Sequence, residues 1–411
     1  MTKLSFPKEN LRILLLEGIH RSAVETFRSH GYTNVELLPG ALDEDELLAR
    51  IADVHVIGIR SRTRLTSRVL EAADKLFCVG CFCIGTNQVA LDDARRAGIP
   101  VFNAPYSNTR SVAELVMGEL ILLMRGIPEK AAAARLGNWR KTAAHAHEIR
   151  GKTLGIVGYG HIGSQVSVLA EALGMQVLFY DIVPKLAIGN ARPCSSLEEL
   201  LRRSDAVTLH VPATAETAGM IGEKEIRSLR AGSILLNLAR GNVVDIDALA
   251  AALDDGQVRG AAIDVFPKEP ASPTEAFASP LQAFDNVILT PHVGGSTQEA
   301  QENIGVEVAE KLARYSDNGT TLGAVNFVEV ALPSHAGATR FLHIHRNVPG
   351  VIAHINEVFS ERGLNVAAQY LRTDGEVGYV VVDVDGDLDG GVEVRRELES
   401  IEGTVRSRFL M

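Results

Sequence analysis

The sequence predicts two doubly wound parallel sheets with crossover helices, followed by a smaller βαββαβ module. Three observations carry this α/β reading. Two separate series of short apolar runs alternate with helical stretches, a GxGxxG turn ends the first run of the second series, and a tail from Arg340 reads strand, helix, strand, strand, helix, strand.

In the first series, Arg12–Leu16, Val54–Ile59 and Leu76–Ile84 are apolar runs, and His20–His30 and Val69–Ala73 lie between them. Three of the four cysteines fall in Cys78-Val79-Gly80-Cys81-Phe82-Cys83. No second Cys/His pair at zinc spacing accompanies them, so this run reads as a buried strand rather than a metal or redox site. A helix over Ser111–Arg125, with the capping-box spacing Ser111-x-x-Glu114, leads into the second series. Its strands are expected at Thr153–Val157, Val177–Tyr180, Ala206–Val211, Ser233–Asn237, Gly260–Val265 and Val287–Thr290. A helical stretch, Gln298–Tyr315, then a polar turn, Ser316–Gly319, and a linker, Leu332–Gly337, separate off the tail.

Composition excludes several function classes. The 411 residues carry 41 Lys and Arg against 51 Asp and Glu, a formal charge of −10, with no basic block to meet a phosphate backbone. Nucleic acid is therefore not an expected partner. The longest apolar runs, such as Gly118–Met124, are too short to span a bilayer, and Met1-Thr2-Lys3-Leu4 has no signal-peptide apolar region. A cytoplasmic protein with no membrane partner is expected.

Gly158-Tyr159-Gly160-His161-Ile162-Gly163 directly follows an apolar strand and opens a helix whose apolar positions Ile162, Val166, Leu169 and Leu173 recur at helical spacing. In a Rossmann-like turn the first glycine permits the bend, the second lets backbone N–H groups approach a pyrophosphate, and the third allows close helix–strand contact. Asp181 ends the next strand, 18 positions after Gly163. A carboxylate there accepts from both adenosine ribose hydroxyls and repels a 2′-phosphate, so NAD is expected over NADP.

Hydride transfer to a 2-keto acid also needs a proton donor, a cation for the carboxylate and a group to poise the donor. Arg240, Glu269 and His292 each follow a strand of the second series, where open α/β sheets place their ligands. Arg240 suits a carboxylate held by two parallel hydrogen bonds. Glu269 beside an imidazole raises its proton affinity, which suits His292 as acid and base. Gly294 and Gly295 allow close backbone approach to a nicotinamide, and Asp264 is a candidate acceptor for its carboxamide. Each residue alone is equally well a surface charge or a satisfied histidine; their common placement favours the joint reading.

The GxGxxG turn, Leu238-Ala239-Arg240-Gly241-Asn242-Val243-Val244-Asp245, Asp264-Val265-Phe266-Pro267-Lys268-Glu269-Pro270 and Thr290-Pro291-His292-Val293-Gly294-Gly295 together resemble the D-isomer-specific 2-hydroxy acid dehydrogenases. The resemblance covers most of residues 1–330. It implies a catalytic set of Arg240, Glu269 and His292. The implied cofactor site is Gly158, Gly160, His161, Ile162, Gly163, Asp181, Leu238, Ala239, Arg240, Asp264, His292, Val293, Gly294 and Gly295. It also implies a discontinuous substrate-binding domain (1–106 and 297–333) around an NAD-binding domain (107–296).

Arg60-Ser61-Arg62-Thr63, Gly80–Val89 and Phe102–Glu114 resemble the branch of that family that oxidises 3-phosphoglycerate to 3-phosphohydroxypyruvate at the start of L-serine biosynthesis. Arg60 and Ser61 offer an anion site after a strand, with Asn108, Lys141 and Arg240 as further substrate donors, although a solvated charge run explains Arg60–Arg64 equally well. Where close members carry a lysine before Gly40, Pro39 stands here. A glycerate or hydroxypyruvate reductase, which would not need Arg60 and Ser61 as phosphate anchors, and a non-enzymatic NADH-sensing corepressor are the alternative readings.

In the tail, Phe341–His345, Val366–Leu371 and Gly378–Val384 are expected strands, and Val351–Arg362 and Val392–Leu398 expected helices, before a final strand. This order is ferredoxin-like, and Asn347-Val348-Pro349-Gly350-Val351 makes the tail (339–411) similar to an ACT domain. That resemblance implies L-serine as effector, bound between paired copies through His345, Asn347 and Asn365, and a homotetramer. A purely dimerising module, or a metal on His343 and His345, are the alternatives.

Overall fold

The computed structural model describes residues 7–270, 275–335, 337–386 and 390–411; Met1–Leu4 and Ala336 of the linker lie outside these. The chain forms two compact units, residues 1–107 with 301–411 and residues 108–300.

The first unit opens with β1 (Ile13–Leu15), α1 (Arg21–Ser29), β2 (Val35–Leu37), α2 (Glu44–Ile51), β3 (Val56–Ile59), α3 (Ser67–Glu71), β4 (Cys78–Cys81), α4 (Leu91–Arg96) and β5 (Val101–Asn103). The strands form a parallel sheet in the order β2-β1-β3-β4-β5. Every residue of β1, β3 and β4 is buried, because helices cover both faces. Alternation sorts the side chains: Ile13, Leu15, Val56 and Cys78 enter one core, and Leu14, Ile57, Val79 and Cys81 the other.

The second unit comprises α5 (Thr109–Met124), α6 (Ile127–Arg135), β6 (Thr153–Val157), α7 (His161–Ala172), β7 (Gln176–Tyr180), β8 (Arg192–Pro193), α8 (Leu197–Arg203), β9 (Ala206–Leu209), α9 (Glu223–Ser228), β10 (Ser233–Asn237), α10 (Ile246–Asp254), β11 (Val258–Ile263) and β12 (Val287–Leu289). The parallel order β12-β11-β10-β9-β6-β7-β8 reverses direction between β6 and β9, the switch point where doubly wound sheets bind ligands. The expected capping box is absent. Asn108 is the N-cap of α5, and the Ser111 hydroxyl instead meets Thr297 Oγ1 at 2.8 Å while Glu114 accepts from Arg110 at 2.6 Å.

Then α11 (Gln298–Asn318) returns the chain to the first unit. The helix runs through the expected turn at Ser316, because Tyr315 is buried against Phe77 and Phe102 and holds the last turn, and Gly319 at φ 81° ends it. The tail is β13 (Ala338–Arg346), α12 (Val351–Glu361), β14 (Val366–Thr373), β15 (Val377–Asp385), α13 (Gly391–Ser400) and β16 (Thr404–Leu410), an antiparallel sheet in the order β14-β15-β13-β16. One face, with Phe341, Val380, Val382 and Val384, is covered by α12 and α13; the other packs Leu342, Ile344, Tyr379 and Val381 on Phe327 and Val330. Arg340 is fully buried and grips Asp383 through Nε (2.6 Å) and Nη2 (2.7 Å), while its Nη1 donates to the Asn318 and Pro333 carbonyls. Among the described residues, no helix is long and apolar enough to cross a membrane.

Candidate active site

The switch point is built from three glycines with different tasks. Gly158 sits at φ 91°, and a Cβ there would stand 2.5 Å from the His210 carbonyl oxygen. At Gly163 a Cβ would meet the Gly158 carbonyl at 2.2 Å, so only glycine lets α7 approach β6. Gly160, by contrast, meets no neighbour: among the described residues nothing lies within 4 Å of its Cβ position. It caps α7 without a side-chain hydrogen bond, at the helix end whose first amides have no acceptor within the helix. Such an opening fits a pyrophosphate at a positive helix end. Asp181, at the end of β7, accepts from the Tyr159 amide (2.8 Å) and the Val183 amide (3.0 Å), which fixes its carboxylate and leaves a lone pair on each oxygen. Burial pushes the His210 side chain down to about 3, so a neutral imidazole lines the inner side of the switch point.

The catalytic candidates come together beyond β10, β11 and β12. His292 Nδ1 lies 2.9 Å from Glu269 Oε2, and Glu269 Oε1 accepts from the Phe266 amide at 3.1 Å. The hydrogen bond to Glu269 is the main influence raising the His292 pKa, against burial and the charge of Arg240. Burial pulls the Glu269 carboxyl upward, yet its hydrogen bond to His292, the Phe266 amide and Arg240 together hold it below the usual range. Arg240 donates from Nη1 to the Ala239 carbonyl at 2.6 Å and acts electrostatically on both partners.

His292 is one of three non-glycine residues with positive φ among the described residues, at 54°. Asp264, 1% exposed, imposes that turn. Its carboxylate accepts from the Thr290 hydroxyl (2.6 Å) and from the amides of Val293 and Gly294 (2.8 Å each), and its carbonyl accepts from the His292 amide at 2.8 Å. A Cβ on Gly294 would reach 2.9 Å from that carboxylate, and one on Gly295 2.2 Å from Asn108 Nδ2, so the turn tolerates no side chain at either position.

Two contributors are not evident from the sequence. Asn237, wholly buried at the end of β10, accepts from the Ala239 amide (3.1 Å) and donates to the Arg240 carbonyl (3.0 Å), fixing the loop Leu238–Arg240. Gly241 lies against the next loop, where a Cβ would stand 2.0 Å from the Phe266 carbonyl carbon and oxygen.

The remaining candidates lie elsewhere. Lys141 is exposed in the second unit, on the segment after α6. Arg60 and Ser61 are in the first unit, after β3, on a loop organised by Glu17, a further residue that sequence reasoning missed. That carboxylate, 4% exposed and at φ 61°, accepts from the amides of Arg60 (3.1 Å), Arg62 (3.0 Å) and Thr63 (2.8 Å). In the tail, His345 is 1% exposed with its ring against Gly378. Asn347 donates to the Asp374 carbonyl just before β15, and Asn365 to Asp385 Oδ2 at the far end of that strand. The ends of nine-residue β15 are eight steps apart, about 27 Å at strand rise, so one tail does not bring the two asparagines to a single small ligand. His343 bonds Thr404 Oγ1 at 2.9 Å and burial holds it down to about 4; no metal-ligating cluster occurs among the described residues.

Residues 117–294 match the D-isomer specific 2-hydroxyacid dehydrogenase NAD binding domain, and residues 341–406 match an AHAS small subunit-like ACT domain. The fold and site thus define an NAD-dependent oxidoreductase with an appended ACT domain. Among solved structures, a D-lactate dehydrogenase from Aquifex aeolicus complexed with NAD and lactic acid aligns at a TM-score of 0.65 and 27% identity, over 79% of this chain and all of that one. The D-3-phosphoglycerate dehydrogenases of Haemophilus influenzae (58% identical, 99% of both chains) and Escherichia coli K12 (57% identical, the full length of both) are similar throughout. The chain therefore belongs to the D-3-phosphoglycerate dehydrogenase family.

Proposed function

We propose that the chain oxidises D-3-phosphoglycerate to 3-phosphohydroxypyruvate with NAD, His292 exchanging the hydroxyl proton, and that L-serine inhibits it through the tail. The observation that supports the chemistry most directly is the His292–Glu269 pair at 2.9 Å beside Arg240. Bound NAD supplies the hydride acceptor. The protein residues do the rest. Arg240 takes the substrate carboxylate, His292 Nε2 accepts the hydroxyl proton, and Glu269 stabilises the resulting imidazolium while its bond to Nδ1 fixes the ring. In reverse the imidazolium returns the proton to the ketone oxygen. The Arg60–Ser61 loop, pre-formed by Glu17, offers amide, hydroxyl and guanidinium donors for the phosphate, with Asn108 and Lys141 as additional donors.

The placement of Asn347 and Asn365 at opposite ends of β15 argues for a serine site shared between two tails, Asn347 from one copy and Asn365 from the other, in keeping with a homotetramer. A hybrid test follows. N347A and N365A enzymes should each lose serine inhibition, and mixed oligomers should regain it, because each N347A–N365A pair keeps one intact site. No recovery in demonstrated hybrids would refute a shared site. The primary assay is NADH oxidation with 3-phosphohydroxypyruvate and with unphosphorylated hydroxypyruvate, each with and without L-serine. A strong preference for the phosphorylated keto acid is expected, and equal rates would overturn the substrate assignment.

A further inference from the structure

Glu119 interrupts the apolar stretch Gly118–Met124 and lies on the inward stripe of α5 with Val112, Val116, Leu120 and Leu123. It is 3% exposed, and neither carboxyl oxygen has a hydrogen-bond partner among the described residues. A buried acid without partners carries a large penalty for its charged form. Burial, and then the charge of Asp264, push the Glu119 carboxyl up to about 8.

The packing places Glu119 behind the catalytic turn. Near one end of α5, Val112 lies 3.7 Å from the Cβ position of Gly294; near the other, Leu123 lies 3.3 Å from that of Gly260, early in β11. Glu119 falls between these anchors, on the face of α5 packed against β11, the strand that leads into Asp264. The other elements packed on α5 bring no charge to it: α7 turns Gly163, Val166, Ser167 and Ala170 inward, β10 contains no charged residue, and only Ala133 of α6 is buried. Arg259, on β11, is turned instead to Met124 Sδ at the C-terminal end of α5, at 3.1 Å.

We propose that Glu119 is a positioning acid, held uncharged so that Asp264 keeps its hydrogen bonds to Val293 and Gly294 and the His292 turn stays in its cofactor-binding conformation. Ionisation places a second negative charge behind Asp264 in a medium that screens it weakly, and the turn loosens. The role rests on the dehydrogenase reading of the site, but NADH binding reads it without any assumption about the substrate.

The test is NADH affinity by fluorescence titration of the full-length enzyme from pH 7 to pH 9.5, for wild type, Glu119→Gln, Glu119→Leu and Glu119→Asp. Wild type is expected to weaken about tenfold between pH 7 and pH 9, as a single group ionising near 8 requires when its charged form does not bind. Gln and Leu cannot ionise, so their affinities should be flat across this range, whereas Asp should keep a falling limb. A purely structural Glu119 would alter the affinity by the same factor at every pH. Parallel pH profiles for wild type and both non-ionising variants would overturn the proposal. Loss of 3-phosphohydroxypyruvate turnover with these binding profiles intact would count against the substrate assignment and not against Glu119.

Discussion

Gly241→Ala isolates the geometry of the site from the chemistry of its side chains. The added methyl would lie 2.0 Å from the Phe266 carbonyl carbon and oxygen and 2.6 Å from the Pro267 nitrogen. Ordinary contact begins near 3.4 Å, so one loop must retreat by 3.4 − 2.0, about 1.4 Å. Gly241 follows Arg240, and Phe266 donates to Glu269, so retreat of either loop separates the guanidinium from the His292–Glu269 pair. Misplacement on the 1 Å scale costs about 100-fold in rate, near 2.7 kcal/mol of barrier. The loop that retreats carries Leu238–Arg240, which are also cofactor-binding candidates, so NADH affinity should weaken too, and the loss of kcat measured at saturating NADH reports the misalignment of the catalytic groups. The assay is steady-state NADH oxidation with 3-phosphohydroxypyruvate, beside fluorescence titration of NADH and a thermal melt. A variant within threefold of wild-type kcat/KM would refute the claim that this contact aligns the site, and a melt lowered as much as the rate would reassign the effect to folding.

Two further outcomes are expected. In the proposed mechanism keto-acid reduction needs the His292 imidazolium, and Glu269 raises the His292 pKa; the rate should therefore fall as pH rises through that raised value. Glu269→Gln removes the charge that favours the imidazolium and should move the falling limb to lower pH, visible in a kcat profile; an unmoved limb would show that Glu269 does not poise the histidine. Asp383→Asn leaves the buried Arg340 charge without its partner, which costs about 3–5 kcal/mol. The first unit should then melt on the order of 10 °C lower by calorimetry, and a shift of only a degree or two would mean that the Asn318 and Pro333 carbonyls suffice.

What could be read from the sequence follows from how locally each feature is encoded. Strands buried on both faces, such as Val56–Ile59 and Ser233–Asn237, show as continuous apolar runs. Several elements absent from that reading are short or polar: β2 and β5 have three residues each, β8 is Arg192–Pro193, and half or more of the residues of α2 and α4 are charged. Their existence depends on a sheet edge or a groove built by distant parts of the chain. Arg240, Glu269 and His292 were legible because each follows a strong strand. Asn237, Gly241, Glu17 and Glu119 were not, since each acts on backbone or buried groups reached only through the fold. The Ser111-x-x-Glu114 spacing misled because Asn108 starts the helix earlier and Thr297 captures the serine.

The last strand reaches deep into the body of the first unit. The Arg408 guanidinium stacks 4.1 Å from the Phe77 ring centre and also covers Tyr315, Arg406 donates to the Leu76 carbonyl, and Val405 and Ile344 lie 3.2–3.3 Å from the Cβ position of Gly98. These tail residues roof the aromatic core under β4 and α11. The ACT domain is therefore not a detachable attachment but part of the wall of the first unit. Removing it would unroof Phe77 and Tyr315 and leave an aggregation-prone stump. Any role of the tail is therefore better probed by substitution at its outer edge than by its removal.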